Sequence, residues 1–201
     1  MGRRKTYDRD EVTDRAMQLF WERGYHDTST RDLTEAMGIN AYSLYAEFSG
    51  KQELYDRAME RYQHVVVTRH FGRLEADDAT LEDVEAVVRY FGGGAEVLAS
   101  TLGCFACNAA IELAPTPDAS RDSTDRYMGR VAAAFGNALR NAQATGHLLP
   151  DTAVDELAQF LTVTVTGMLV LIRSGSSRGF LTAAADQALF RLRACSSPTE
   201  A

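Results

Sequence analysis

Few residues in this 201-residue chain stand at spacings that could do covalent or metal chemistry. Three cysteines (Cys104, Cys107 and Cys195) and four histidines (His26, His64, His70 and His147) supply its soft ligands and nucleophiles. Cys104-Phe105-Ala106-Cys107 is a C-x-x-C, which on a helix puts two thiols about one turn apart on one face. Such a pair can bind a soft metal or respond to oxidants. It can equally be small buried filling, since free cysteine packs well in a core. No second Cys or His pair lies near enough to complete a zinc set, and no strand precedes the motif as it would in a thioredoxin-like site. His64 and His70 are six residues apart and do not share a helical face as a metal pair. The chain contains no G-x-S-x-G elbow, no H-E-x-x-H and no phosphate-binding glycine loop. Gly92-Gly93-Gly94 follows a helix pattern and reads as a helix stop. No catalytic constellation, metal site or cofactor is expected.

A separate feature is the hydroxyl run Thr28-Ser29-Thr30 followed by Arg31. What must position that run is a set of helices. Apolar residues recur at three-four spacing nearly everywhere, and Pro115, Pro117, Pro150 and Pro198 fall between the periodic stretches, so an all-α chain is expected. Asp8, with Glu11 after it, begins a first helix that buries Val12, Ala16, Leu19 and Phe20 and stops at Gly24. A second runs from Ser29 or Thr30 to Gly38 with Leu33, Ala36 and Met37 inward. Asn40 caps a third, and Ser49 with Gln52 suggests a capping box for a fourth, reaching about Arg73. Thr80 opens another that ends at the glycine run. Further helices are expected near 96–100, 103–113, 120–144, 152–174 and 179–194.

Residues 28 to 45 form the strongest pattern. Two short helices are joined by Gly38-Ile39-Asn40, the tight glycine-containing turn of a helix-turn-helix. Glycine admits a left-handed turn, Ile39 fills the angle between the helices, and Asn40 leaves the second helix's first turn exposed to enter a major groove. The same spacing also suits a plain helical hairpin.

Ala16, Leu19, Phe20, Gly24-Tyr25, Thr28-Ser29-Thr30, Asp32-Leu33, Ala36-Met37-Gly38-Ile39, Ser43-Leu44-Tyr45, Phe48, Lys51 and Leu54 stand in an order that resembles the N-terminal domain of TetR-family bacterial transcriptional regulators. The resemblance covers about residues 8–59. It implies a three-helix DNA-binding domain over 1–51 and an effector-binding and dimerisation domain over 52–201. It also implies that Asn40, Ala41, Tyr42 and Ser43 open the recognition helix, that Thr28, Ser29, Thr30 and Arg31 clamp a phosphate, and that Tyr45 and Lys51 touch the DNA backbone. Lysine in a first helical turn opposes the helix dipole, and a phosphate there would reverse that sign. Tyr25, Leu44, Phe48 and Leu54 are assigned to the core. The tail Arg3-Arg4-Lys5 could follow a minor groove. Thr34 and Glu47 depart from the family's usual alanine and histidine, and a carboxylate at Glu47 would oppose nearby phosphates.

For the larger part, the resemblance implies a homodimer formed through the last two helices, read here as Leu157, Leu161, Met168, Ile172, Leu181, Ala184, Ala188 and Leu192. It also implies a buried small-molecule effector, for which Tyr62, Val66, His70, Tyr90, Phe91, Phe105, Asn108, Tyr127, Phe135 and Thr166 are the candidate lining. The resulting reading is a ligand-responsive regulator, a repressor released from a near-palindromic operator in double-stranded DNA. Two rivals remain: a thiol or metal sensor using Cys104 and Cys107, and a small helical enzyme or carrier.

Composition bounds these readings. Hydrophobic residues at 45% and charged residues at 24% suit an ordinary folded chain, not a disordered or fibrous one. Sparse, odd cysteines, a basic N-terminus that leads into no apolar run, and an apolar stretch at 157–172 too short to span a bilayer lead to the expectation of a soluble cytoplasmic protein with no membrane partner. Net charge is −7, of which residues 1–51 carry only −1. A nearly neutral DNA-binding part argues against non-specific coating of nucleic acid and leaves affinity to a few placed groups.

Overall fold

The computed structural model describes residues 7–94, 101–113 and 119–197, with only the backbone for 119–123. The basic tail at 3–5 and the short helix expected over 96–100 lie outside the described residues. All regular structure among them is helical: α1 (Arg9–Arg23), α2 (Thr30–Met37), α3 (Ala41–Phe48), α4 (Lys51–Tyr62), α5 (Thr68–Phe71), α6 (Leu81–Phe91), α7 (Phe105–Glu112), α8 (Ala119–Ala144), α9 (Val154–Arg173) and α10 (Arg178–Ala194).

Local chemistry sets the first breaks. Asp8 caps α1 by accepting the Asp10 amide, and Ser29 and Asp32 form a reciprocal capping box at α2. Gly38 ends α2 at φ 67, the left-handed conformation that glycine adopts without a side-chain clash. Asn40 Oδ1 then accepts the Ser43 amide at 2.8 Å to start α3. One expected cap fails. Ser49 ends α3 with φ 55, so Gly50 precedes α4 and no side chain caps it. A single two-residue break serves both helices, leaving no room for a Ser49 cap. Ala36 is exposed rather than inward.

The expected long fourth helix is a composite. A π turn, Gln63–Val67, follows α4, and a 3-10 turn, Gly72–Glu75, follows α5. Widening a helix by one residue per turn releases a carbonyl from the regular ladder. Arg130 of α8 reaches the Gln63 carbonyl here, and also bonds Thr68 Oγ1 at 2.8 Å and Glu75 Oε1 at 2.6 Å.

In the body, α8 and α9 present Tyr127, Val131, Phe135, Leu139 and Leu157, Leu161, Val165, Met168, all buried. Helix α9 is 20 residues, long and apolar enough by composition to cross a membrane, which corrects the expectation that this stretch is too short. Its buried stripe is nevertheless part of the chain's own core.

Candidate DNA-binding surface and effector cavity

The helix-turn-helix rests on a small core of Phe20, Leu33, Leu44, Phe48 and Leu54, all fully buried. That frame leaves the first turn of α3 outward: Tyr42 is 83% exposed and Tyr45 55%, while Ala41 is exposed and Ser43 half-buried. Large exposed aromatic rings cost hydration free energy, so two on one short helix mark a contact surface. Arg9 Nε lies 3.1 Å from the Glu47 carboxylate, which answers the repulsion expected at Glu47 with a local cation.

The phosphate clamp needs correction. Thr28 is fully buried and its hydroxyl donates to the Gly24 carbonyl at 2.6 Å, so it positions the turn and offers nothing outward. Ser29 spends its hydroxyl on Asp32. Thr30 and Arg31 remain at the surface, with Arg31 exposed. Lys51 Nζ sits 4.2 Å from the Tyr25 ring centroid, a cation–π contact that satisfies it without a phosphate. Partial burial lowers the pKa of its ammonium, while Glu112 and Asp27 act the other way.

A cavity of about 80 Å³ lies beneath, lined by Trp21, Tyr62, Val66, Val67, His70, Phe71, Tyr90, Phe91, Gly103, Tyr127, Leu169 and Ile172. Six expected residues are on its wall: Tyr62, Val66, His70, Tyr90, Phe91 and Tyr127. Four are not. Phe135 is core packed edge-on to Phe71, and Thr166 turns its hydroxyl to Met128 Sδ at 3.7 Å. Phe105 and Asn108 line a separate outer groove of about 420 Å³ between the end of α1 and α7. The Asn108 side-chain amide donates to the Leu102 carbonyl at 2.9 Å, closing a local turn rather than facing a ligand.

Trp21 is the residue the sequence reading missed. It belongs to α1 yet lines the cavity, stacks edge-on to Tyr62 at 5.0 Å, and donates Nε1–H to the Leu102 carbonyl at 3.0 Å. Glu112, at the far end of α7, accepts the Tyr25 and His26 amides at 2.9 and 2.6 Å. These are the orphan amides beyond α1, and a carboxylate is their natural partner. Gly24, at φ 88, is required there: a Cβ would lie 2.6 Å from Glu112 Oε2. Arg173 of α9 adds a bond to the Glu22 carbonyl at 2.9 Å.

The expected dimer residues also need correction. Leu157, Leu161, Met168, Ile172, Leu181, Ala188 and Leu192 are buried within the chain, Ile172 lines the cavity, and Ala184 is half-buried. Both helices carry a second apolar stripe facing out. On α9 it is Phe160, Val163, Gly167 and Val170, with Val163 70% exposed. On α10 it is Phe180, Ala183 and Phe190, with Phe190 69% exposed and one polar side chain, Gln187, set among them.

A small helical head that exposes the short helix α3 is seated on a body whose cavity is walled partly by the head's own first helix. Comparison with known proteins makes this specific. Residues 12–58 match the model for bacterial regulatory proteins of the tetR family, and residues 80–188 match the tetracyclin repressor-like C-terminal domain. The HTH-type transcriptional repressor ComR of Escherichia coli (strain K12) is 34% identical over 88% of this chain and 84% of its own. A cysteine mutant of the TetR-family regulator CifR, solved with a 26-base-pair double-strand operator, is 32% identical with TM-score 0.81 over 96% of this chain and 99% of that one. A TetR-family regulator from Cytophaga hutchinsonii shares the fold at TM-score 0.83 and 19% identity, over 97% and 100% of the two chains. The chain belongs to the TetR family of bacterial transcriptional regulators; it is a DNA-binding regulator and not an enzyme.

Proposed function

We propose that this chain is a homodimeric cytoplasmic repressor that leaves a near-palindromic operator when a small uncharged molecule enters the Trp21–Tyr62 cavity. The repressor reading is supported by ComR, named a repressor, and by CifR, solved on operator DNA. Pairing is supported by the outward stripes of α9 and α10, since four such helices from two chains close an apolar bundle. That pairing sets two α3 helices one turn of DNA apart, about 34–36 Å, or a multiple of it. The effector class follows from the wall, whose described residues hold aromatic and aliphatic groups, hydroxyls and one imidazole, and among them no carboxylate, ammonium or guanidinium. Size points the same way, because an apolar cavity about twice as large holds benzene.

The observation that carries the reading is Trp21. A molecule in the cavity touches the helix that frames the DNA-binding head, so occupancy and head position share one wall. A ligand shifts the head only through unequal affinity for its two positions, and such coupling is typically about five- to 150-fold in operator affinity. Trp21 is the chain's single tryptophan, so its emission reports on the cavity directly. The test screens uncharged compounds of about two to four heavy atoms, such as acetone, against Trp21 emission, then measures binding to the DNA upstream of the chain's own reading frame. A compound that alters the emission should lower operator affinity within that range. Emission changes with unaltered operator binding would defeat the effector reading. Absence of sequence-selective binding by the untreated protein would defeat the operator assignment.

A further inference from the structure

The C-x-x-C has a geometry that the effector reading does not use. Cys104 is the N-cap of α7, and its Sγ accepts the Cys107 amide at 3.4 Å. The Tyr62 hydroxyl donates to the same sulfur at 3.4 Å. Two donors therefore converge on one buried sulfur at the positive end of a helix, the setting that favours a thiolate. Burial opposes ionisation at Cys104, but the polar groups of Cys107, Tyr127 and Tyr62 around the sulfur outweigh it and bring its thiol down to about 7. Cys107 is pushed the other way and stays a thiol, because it donates to Cys104 and is itself buried. Tyr62 and Tyr127 belong to the cavity wall, so a small molecule there lies one side-chain layer from the sulfur.

We propose that Cys104 and Cys107 are a dithiol site that a small hydroperoxide oxidises to a disulfide within α7, loosening the grip of α7 on the DNA-binding head. The Cys104 thiolate attacks one peroxide oxygen. An S–O bond forms, the O–O bond breaks, and the departing oxygen takes up the proton that Cys104 released and leaves as water from hydrogen peroxide or as alcohol from an alkyl hydroperoxide. Cys107 then attacks the sulfenic acid. An S–S bond forms, the S–O bond breaks, and hydroxide leaves with the Cys107 proton as water. Two thiols lose two electrons in all, and the hydroperoxide gains them. The cavity volume is a few times water's share of the liquid, enough for a peroxide of two to four heavy atoms.

The consequence follows from where α7 is tied. Disulfide formation pulls Cys104 Sγ off the Tyr62 hydroxyl and removes the α7 cap. The adjoining Phe105 packs edge-on to Tyr55 and Tyr62 at 5.5 and 5.7 Å, and the preceding Leu102 carbonyl holds Trp21. At the other end of the same helix, Glu112 holds the Tyr25 and His26 amides. A displaced α7 thus moves both anchors of the head.

This inference rests on the repressor reading only for its DNA consequence; the thiol chemistry has its own readout. The experiment uses full-length reduced protein in a Cys195→Ser background, treated with hydrogen peroxide. The expected result is a loss of about 2 Da in intact mass, mapped to a Cys104–Cys107 bond and reversed by dithiothreitol. Operator affinity should fall at least about fivefold with the same reversibility. Cys107→Ser should stop at a sulfenic acid on Cys104, trapped by dimedone. Cys104→Ser, which supplies a better N-cap and so keeps the fold, should bind operator normally and ignore peroxide. No mass loss, or peroxide release that survives in Cys104→Ser, would overturn the site. A mapped disulfide with unchanged operator affinity would overturn the switch and leave the repressor reading standing.

Discussion

Helices α3 and α7 are both eight residues long and both capped by the side chain of the residue just before the first turn, yet they are opposites in how they are held. Helix α3 is capped by an amide oxygen, one of the strongest N-caps, and the bonds that start and stop it are local. Helix α7 is capped by a sulfur, a weak acceptor, and is tied at both ends to residues more than 80 positions away in α1 and its turn. Stiffness is built where a fixed surface must meet DNA. Adjustable contacts are built where that surface is joined to the body.

The sharpest way to break this comparison is at the α7 anchor. Glu112→Ala leaves the Tyr25 and His26 amides without their carboxylate, and hydrogen bonds to a charged group each contribute about 1.5–3 kcal/mol when buried. Glu112 is half-buried, so the expected loss is about 2–3 kcal/mol in total, read by urea denaturation. Operator affinity should fall with it, because the head loses its orientation. If Glu112→Ala is destabilised but binds operator normally, α7 is packing alone and the contrast with α3 fails.

How much of this contrast was legible in the sequence follows from the same locality. Ser29 with Asp32, Asn40 with Ser43, and Gly38 are caps spaced by three residues or a single conformational demand, so α2 and α3 could be read directly. Trp21 could not, since its partner Leu102 is 81 residues away and nothing near Trp21 signals it. The dimer stripe failed for another reason. Leu157, Leu161, Val165 and Met168 repeat at helical spacing, but so do Phe160, Val163, Gly167 and Val170. Periodicity finds an apolar stripe and does not say which of two faces the chain's own core claims. Thr28 failed because a hydroxyl beside a helix start serves a phosphate or a backbone carbonyl equally well, and only the Gly24 turn decides.

A smaller effect tests the sulfur cap itself. Cys104 has a folded pKa of about 7, below that of an unfolded thiol, so its ionisation favours the folded state. For an acid with a depressed folded value, the contribution is fully present above the unfolded pKa, near about 8.5–9, and is lost as pH falls through the folded value of about 7. The reduced protein should therefore gain about 1–2 kcal/mol relative to Cys104→Ser between about pH 7 and pH 9, with little further change below or above. Parallel stability curves for the two proteins across that window would mean the thiol is neutral filling.

The smallest effect belongs to the stiff helix. Asn40→Ala removes the Oδ1 bond to the Ser43 amide and should cost about 1 kcal/mol of global stability, by thermal or urea unfolding. Its operator affinity should fall by more than that figure suggests, because the lost cap frays the turn that carries Tyr42 and Ser43, and fraying must be reversed on each binding event. Asn40→Asp keeps an acceptor at the same distance, so it should restore stability; against phosphates it adds a negative charge, so it should not restore affinity. If Asn40→Asp recovers both, the first turn of α3 lies farther from the DNA backbone than the exposure of Tyr42 and Tyr45 implies.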